Sequence, residues 1–206
     1  MGKYLTRIET DFISKSFNTQ QEETTVLDVG AEAGRFSLLA TRSKGTVVSL
    51  DIDSYSLKRL KSKNREVNII QADARKLPLK DEVFDAVFMI EVLDYILELE
   101  SAFEECKRTL KTKAPCFLSF GNKSSIKAKL RQMRGQSYMH SYKNVIETLT
   151  ETGFSIKKKT GYSWLPFGRT SQNNLVPVLA GIEKVFGLRR IPRFSPWVIM
   201  QITKLS

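Results

Sequence analysis

This chain takes its fold from one segment, Val26-Leu27-Asp28-Val29-Gly30-Ala31-Glu32-Ala33-Gly34. The segment is an apolar run that ends in an acid and then breaks at two glycines, which predicts a buried strand followed by a tight turn. Apolar residues recur at helical spacing from Arg35 to Ala40, so a helix follows the turn. Gly30 lets the backbone turn sharply and lets a ligand approach it, while free N–H groups at the helix start attract a carboxylate or phosphate. We therefore predict a ligand-binding turn.

The spacing of the glycines argues against a dinucleotide site. A dinucleotide fingerprint, G-x-G-x-x-G, requires glycines where this chain has Gly30, Glu32 and Arg35. The pattern D-x-G-x-x-x-G, with an acid ending the next strand, instead resembles motif I of the class I S-adenosylmethionine (SAM)-dependent methyltransferases. The commonest loop of that family is D-x-G-x-G-x-G, so Glu32 stands where a middle glycine is usual. Glu32 is expected either to meet the methionine ammonium group of SAM or to be a solvated loop acid.

Two later turns carry further acids at positions where this family contacts its cofactor. Thr46 to Asp51 reads as a second buried strand, and a carboxylate at its end can accept hydrogen bonds from both ribose hydroxyls. Asp53 is predicted to cap the next helix. The resemblance implies that Asp73, after a third strand at 67–71, accepts the adenine amino group, with apolar residues gripping the ring. The predicted SAM contacts are Asp28, Gly30, Ala31, Glu32, Gly34, Asp51, Ile52, Asp73, Ala74 and Glu91.

The segment after a fourth strand at 84–90 is where an acceptor should meet the methyl group. Glu91-Val92-Leu93-Asp94-Tyr95 is similar to the E-V-L-E-H segment of ubiquinone-pathway O-methyltransferases, in which acids and a histidine can hold a divalent metal. Tyr95 replaces that histidine, so we predict no metal site. The D-P-P-Y and N-P-P-Y motifs of amino-group methyltransferases acting on nucleic-acid bases are absent, which argues against base methylation. The candidate catalytic residues are Asp94, Tyr95 and His140, the only histidine of the chain.

Strands and helices alternate along the chain, which predicts right-handed crossovers and a mostly parallel sheet. A sixth strand begins at Phe154, and residues 196–204 read as an antiparallel seventh strand. The predicted fold class is α/β, with a Rossmann-like seven-stranded sheet and helices on both faces. The 206 residues suit a single domain. Its predicted parts are an N-terminal amphipathic helix (1–17), a SAM-binding core (24–120), a basic lid (121–142) and a cap insertion between strands six and seven (162–195).

Positive charge is concentrated in the C-terminal part of the chain. Residues 1–120 hold 18 Lys plus Arg against 19 Asp plus Glu, and residues 121–206 hold 15 against 3, so the parts carry −1 and +12 of the net +11. An anionic membrane, an RNA and a merely solvated basic surface all remain open as explanations. In the cap, Trp164, Phe167 and the pair Arg189-Arg190 are candidates for contact with an anionic head group or membrane face.

Together these features predict an enzyme that transfers a methyl group from SAM to a small-molecule or lipid-linked acceptor by O- or C-methylation. An RNA methyltransferase and a non-catalytic SAM-binding domain are the alternatives. No apolar run approaches the roughly 20 residues of a spanning helix and the N-terminus carries no long apolar segment, so a cytoplasmic protein with at most peripheral membrane contact is expected. Cys106 and Cys116 are expected in the core. The oligomeric state is not predicted.

Overall fold

The structure is a computed structural model that describes residues 2–17, 24–41, 45–132, 140–164 and 176–205. Part of the predicted lid (133–139) and part of the predicted cap (165–175) lie outside these ranges, and so does Phe167. Within the described ranges, no helix is both long and apolar enough to cross a membrane.

One seven-stranded sheet runs through the described residues, with the strands in the order β3-β2-β1-β4-β5-β7-β6. Strands β1 to β5 pair in parallel, and β7 is antiparallel to both β5 and β6. The strands are β1 (Thr25–Val29), β2 (Thr46–Asp51), β3 (Asn68–Gln71), β4 (Ala86–Ile90), β5 (Pro115–Gly121), β6 (Phe154–Tyr162) and β7 (Trp197–Lys204). This arrangement confirms the predicted Rossmann-like α/β sheet with an antiparallel seventh strand.

Helices cover both faces of the sheet because each strand buries alternate residues on opposite sides. On one face, Phe103 and Leu149 pack in a core that includes Leu27, and on the other face Leu5 packs in a core that includes Val26. Full burial of one such side chain contributes about 1.5–3 kcal/mol. The helices are α1 (Gly2–Ser14), α2 (Ser37–Ala40), α3 (Ser54–Lys63), α4 (Leu99–Thr109), α5 (Ile126–Gln132), α6 (Tyr142–Glu151) and α7 (Val176–Val185). Single 3₁₀ turns lie at Leu93–Tyr95, Leu188–Arg190 and Pro192–Phe194.

The two cysteines lie in the core, as predicted. Cys106 of α4 and Cys116 of β5 are free thiols with their sulfurs 3.5 Å apart, and both are buried. Burial raises the pKa of the Cys116 thiol well above its ordinary value. Two buried free thiols in the core behave as small apolar side chains.

The fourth strand begins later than the sequence predicts. It was expected from Phe84 but pairs in the sheet only from Ala86. The backbone of Phe84 is bonded elsewhere, because its N–H donates to the Thr109 carbonyl (3.1 Å) and its carbonyl accepts from the N–H of Lys111 (3.0 Å). The end of α4 therefore captures the residues that would have lengthened β4.

The predicted lid contains a helix, although its apolar residues do not all point inward. Helix α5 occupies Ile126–Gln132, and within it Ala128 is buried while Ile126 is 64% exposed. Ile126 therefore faces outward in this helix. Ala128 occupies the inward position instead.

The cap segment between β6 and β7 begins and ends at the same edge of the sheet as the carboxyl ends of the parallel strands. Gly121 at the end of β5 pairs with Trp197 at the start of β7, and Trp197 also pairs with Tyr162 at the end of β6. Since ligands of open α/β sheets bind at the carboxyl ends of strands, the described cap residues lie on the ligand-binding edge.

Candidate functional site

A cleft of about 950 Å³ opens at the carboxyl ends of β1, β2 and β4. Its volume falls in the range of roughly 300–1,000 Å³ that is typical of small-molecule sites. Most of the predicted cofactor contacts line it. They are Asp28, Gly30, Ala31, Glu32, Asp51, Ile52, Asp73, Ala74 and Glu91.

Gly34 is the one predicted contact that is absent from the lining of this cleft in the described structure. It adopts φ +79°, and a Cβ atom added to it would lie 2.1 Å from Cδ1 of Leu60 in α3. Gly34 is thus required for the close packing of the turn against α3, and the prediction that it contacts the cofactor is not supported by its position.

The glycine turn is hydrogen-bonded to the end of β2. The N–H groups of Gly30 and Ala31 both donate to the Leu50 carbonyl (2.8 and 3.0 Å), and the N–H of Glu32 donates to Oδ2 of Asp51 (2.8 Å). Gly30 has φ +70°, and a Cβ there would lie 2.5 Å from the side chain of Val92. These three N–H groups are satisfied within the protein, so they are not available to an anion. The prediction that free N–H groups at the start of the following helix attract a carboxylate or phosphate concerns other residues and stays a prediction.

Asp51 serves both the turn and the start of the next helix. Besides the bond from Glu32, its Oδ1 accepts the N–H of Asp53 (2.9 Å), and its side chain is almost fully buried. Asp53 in turn caps α3, as predicted, by accepting the N–H groups of Tyr55 and Ser56 (both 3.1 Å). Hydrogen bonds from Ser56 and Tyr55 lower the pKa of Asp53. A carboxylate oxygen can accept more than one hydrogen bond, so Asp51 retains acceptor capacity toward the cleft.

Asp28 is held from behind by two serines that the sequence analysis did not single out. The hydroxyl of Ser37 donates to Oδ2 of Asp28 (2.5 Å), and the hydroxyl of Ser49 donates to that of Ser37 (2.7 Å). All three side chains are buried, and burial raises the pKa of Asp28 to about 6. The available signal was Ser49 itself, a polar residue within the apolar run Val47 to Leu50.

Asp73 lies at the other end of the cleft and is paired with a cation. Its Oδ2 contacts Nη2 of Arg75 at 2.7 Å and its Oδ1 contacts Nε at 3.0 Å, and Arg75 also pairs with Glu98. The hydrogen bonds from Arg75 lower the pKa of Asp73. Ile52, 70% exposed, and the buried Ala74 line the same part of the cleft. An adenine amino group at Asp73 would therefore share the carboxylate with Arg75.

A buried ionic cluster lies beneath Glu91, where the chain leaves β4. Arg35 contacts Oε1 of Glu91 through Nη2 (3.0 Å) and Oε2 of Glu9 through Nη1 (3.2 Å). The hydroxyl of Tyr162 donates to Oε1 of Glu9 at 2.6 Å. Glu9 of α1 is fully buried, and burial, followed by the nearby charge of Glu91, raises its pKa. Glu9 was not predicted from the sequence, although an acid between Leu5 and Ile13 on the apolar stripe of α1 was a usable signal.

Of the three candidate catalytic residues, the structure brings one to the cleft. Tyr95 lines the cleft and is 84% exposed. Asp94 instead accepts the N–H of Gly121 (3.0 Å), which ties the end of β4 to the end of β5. His140 is buried, with Nε2 donating to the Ile96 carbonyl (2.7 Å) and Nδ1 3.2 Å from Oδ1 of Asn144. His140 and Asp94 fasten backbone segments, and neither is among the residues lining the cleft.

The charges around the cleft favour a cationic ligand. In the described part of the chain, six acidic and three basic side chains line it, an excess of three negative charges when all are ionised. Such a lining attracts a sulfonium and an ammonium group and opposes a pyrophosphate. The residues present therefore fit SAM and do not fit a dinucleotide. The acids are Asp28, Glu32, Asp51, Asp53, Asp73 and Glu91, and the bases are Arg35, Lys63 and Arg75.

No group of three or more His, Cys, Asp or Glu side chains placed to hold a metal ion occurs among the described residues.

Comparison with known proteins points to one enzyme family. Residues 27–118 match the family model described as a methyltransferase domain. A malonyl-acyl-carrier-protein O-methyltransferase of Methylococcus capsulatus is 27% identical over 184 residues, which are 83% of this chain and 64% of that protein. A structure described as a SAM-dependent methyltransferase from Listeria monocytogenes superposes with a TM-score of 0.75 at 16% identity, covering 99% of this chain and 100% of the other. This last likeness shows the fold alone.

The matches cover only part of the related proteins. An uncharacterised protein of Methanocaldococcus jannaschii is 36% identical over 118 residues, which are 57% of this chain and 49% of that protein. The chain thus spans about half to two thirds of the length of these curated relatives.

Proposed function

Because this chain belongs to the class I SAM-dependent methyltransferases, we propose that it transfers a methyl group from SAM to an oxygen or carbon atom of a small-molecule or lipid-linked acceptor. The observation that carries the proposal is the acidic cleft at the carboxyl edge of the sheet. Each of the strands β1 to β4 contributes one acid to its lining, at or just after the end of the strand: Asp28, Asp51, Asp73 and Glu91. The O-methyltransferase of Methylococcus capsulatus, by its name, acts on an acyl group carried by a protein.

Each part of the cleft has a task in holding SAM. Asp51 would accept the ribose hydroxyls, and Ile52 with Ala74 would enclose the adenine ring, as the resemblance to the family implies. Glu32, which adopts φ +45° and projects an exposed side chain, would meet the methionine ammonium group. SAM supplies a sulfonium-bound methyl group that a nucleophile can attack.

The chain's own contribution to transfer is geometric. Tyr95 and Leu97 are exposed at the cleft and, with Ile96, would exclude water around the acceptor. Holding the acceptor in line with the methyl group contributes on the order of 7 kcal/mol or more to lowering the barrier. Glu91, held by Arg35 at the end of β4, is the carboxylate at the cleft that would take a proton from an acceptor hydroxyl.

The test is transfer of label from methyl-labelled SAM into separate lipid, small-molecule, protein and RNA extracts. We expect label in the lipid or small-molecule fraction. Asp51→Ala should abolish most of the transfer, and Glu66→Gln, an exposed acid in the turn before β3, is the matched control that should leave it unchanged. Label in RNA alone would overturn the acceptor class, and SAM binding without transfer to any fraction would favour a non-catalytic domain.

A further inference from the structure

The cap carries a cluster of exposed apolar side chains. Val185, Phe186, Ile191 and Phe194 are 82%, 74%, 42% and 52% exposed, although large apolar residues are usually buried. They lie within ten residues of one another, between the end of α7 and the start of β7. The name cap ridge is used for residues 184–194, which contain these four apolar residues and the basic residues Lys184, Arg190 and Arg193. A concentration of this kind marks an interaction surface.

The charge of the cap ridge has one sign. Lys184, Arg190 and Arg193 are exposed among the apolar residues. Between residues 181 and 196 the sequence has a single acid, Glu183, and its side chain is buried. The surface of the ridge is therefore apolar and cationic, without a compensating anion of its own.

The cap ridge is fixed to the body of the protein at two ends. On one side Glu183 of α7 accepts a hydrogen bond from the hydroxyl of Tyr4 in α1. On the other side the side-chain amide of Asn122 donates to the carbonyls of Arg193 (2.8 Å) and Ser195 (3.1 Å). Ser195 packs so closely on β6 that a Cβ added to Gly161 would lie 1.8 Å from its hydroxyl oxygen. The backbone of the ridge is thus set by contacts beneath it, and its apolar side chains are held outward.

Arg189 and Trp164, which the sequence also proposes for contact with an anionic head group, are only partly exposed. The side chain of Arg189 turns toward the buried carboxylate of Glu183, with Nε 3.9 Å from Oε2. Trp164 is half-buried and its indole nitrogen is buried. Arg189 therefore supports the ridge from below, and the outward-facing residues are Arg190, Arg193 and the four apolar side chains.

We propose that the cap ridge docks this protein on an anionic membrane surface. Aromatic and aliphatic side chains interleaved with Lys and Arg are the pattern that inserts into the boundary between head groups and acyl chains, with the cations among anionic head groups. The ridge precedes β7, which starts at the carboxyl edge of the sheet where the cleft opens. Docking at this edge would place the cleft next to the bilayer. Delivery of a lipid-linked acceptor rests on the proposed function, whereas docking itself does not.

The proposal is tested by flotation of the full chain with vesicles of phosphatidylcholine alone and of phosphatidylcholine mixed with phosphatidylglycerol, without SAM. The parent should bind only the mixed vesicles. Replacing Phe186 and Phe194 with Ser should weaken this binding at least about tenfold, because each replacement removes most of the apolar surface that the side chain would bury in the bilayer. Replacing Arg190 and Arg193 with Ser should weaken it at low salt, and this difference should shrink as salt rises.

The matched control lies on α3, where Tyr55 is 74% exposed beside the exposed Lys58 and Arg59. Tyr55→Ser and the pair Lys58→Ser with Arg59→Ser should bind the mixed vesicles as the parent does. Equal thermal stabilisation by SAM in every variant shows that the fold and the cleft are intact, so a failure of docking is distinguishable from a failure of cofactor binding. Vesicle binding that is indifferent to the ridge variants overturns the proposal. Binding to single-stranded RNA in place of the vesicles also overturns it.

Discussion

At the scale of single residues, the site is defined by carboxylates whose surroundings differ. Asp73 is partly exposed and paired with Arg75, whereas Asp28 and Glu9 are buried and their pKa values are raised by burial. Asp51 is almost fully buried, and its two oxygens accept backbone N–H groups. Carboxylates in this protein therefore differ in role according to their environment: some bind the backbone of the turn, some have a raised pKa in the core, and some face the cleft.

Asp51 and Asp73 should be separable by their effects on stability. Asp51→Ala leaves the N–H groups of Glu32 and Asp53 without their acceptor, so the free energy of unfolding should fall by about 1–3 kcal/mol. Asp73→Ala removes a solvent-exposed pair and should cost about 1 kcal/mol or less. Both should lower SAM affinity at least about tenfold, through loss of a charge-assisted hydrogen bond. Urea unfolding and calorimetry measure the two effects, and unchanged SAM affinity in both variants would mean that the cofactor site is misplaced.

Glu9 should make the protein less stable as the pH rises. Its pKa in the folded state lies above the ordinary value of 4.5. Above about pH 4.5 the unfolded chain therefore binds fewer protons than the folded chain, so the free energy of unfolding falls with rising pH until Glu9 ionises in the folded state. Glu9→Gln removes this titration, and its stability should decline less from pH 5 toward neutral pH and above, whereas Glu66→Gln should follow the parent. Parallel curves for the parent and Glu9→Gln, measured by urea unfolding, would contradict this assignment.

At the scale of elements, local sequence patterns predicted the positions of the strands well, but not the hydrogen bonds between residues that are distant in the sequence. The apolar run that ends at Asp28 and the acid that ends β2 predicted both strands. They also predicted that the ends of these strands lie beside the ligand. The later start of β4 was not predictable, because it depends on capture of Phe84 by residues more than twenty positions away. The position of His140 away from the cleft lining was not predictable for the same reason, since its partner Ile96 lies 44 positions earlier in the chain.

The two glycines at 34 and 181 should respond oppositely to the same substitution. Gly34→Ala places a Cβ against Leu60 in a left-handed conformation, so the free energy of unfolding should fall by about 1–3 kcal/mol or more. Gly181 is exposed in α7, and a Cβ there meets nothing within 4 Å in the described structure. Gly181→Ala should be neutral or stabilising by up to about 1 kcal/mol. Thermal unfolding distinguishes these outcomes, and an unaffected Gly34→Ala would show that the turn does not pack on α3 as described.

At the scale of the whole molecule, charge of opposite sign is gathered at one edge of the sheet. The charged residues that line the cleft are mainly acids of the N-terminal part, while the exposed charged side chains of the cap between residues 184 and 193 are basic. The charge difference between the two parts was evident from the sequence. That the acidic cleft and the basic cap lie at the same edge of the sheet was not evident from the sequence. It depends on β7 running antiparallel to β5, which brings the cap back to the carboxyl ends of the strands.

The most direct test of the account is calorimetric titration of the unmodified chain with SAM and, separately, with NAD. The acidic lining and the filled N–H groups of the glycine turn favour a cation and leave no place for a pyrophosphate. We expect saturable SAM binding at one site and no measurable binding of NAD. Binding of NAD as tight as that of SAM, or no binding of SAM, would contradict the assignment of this cleft.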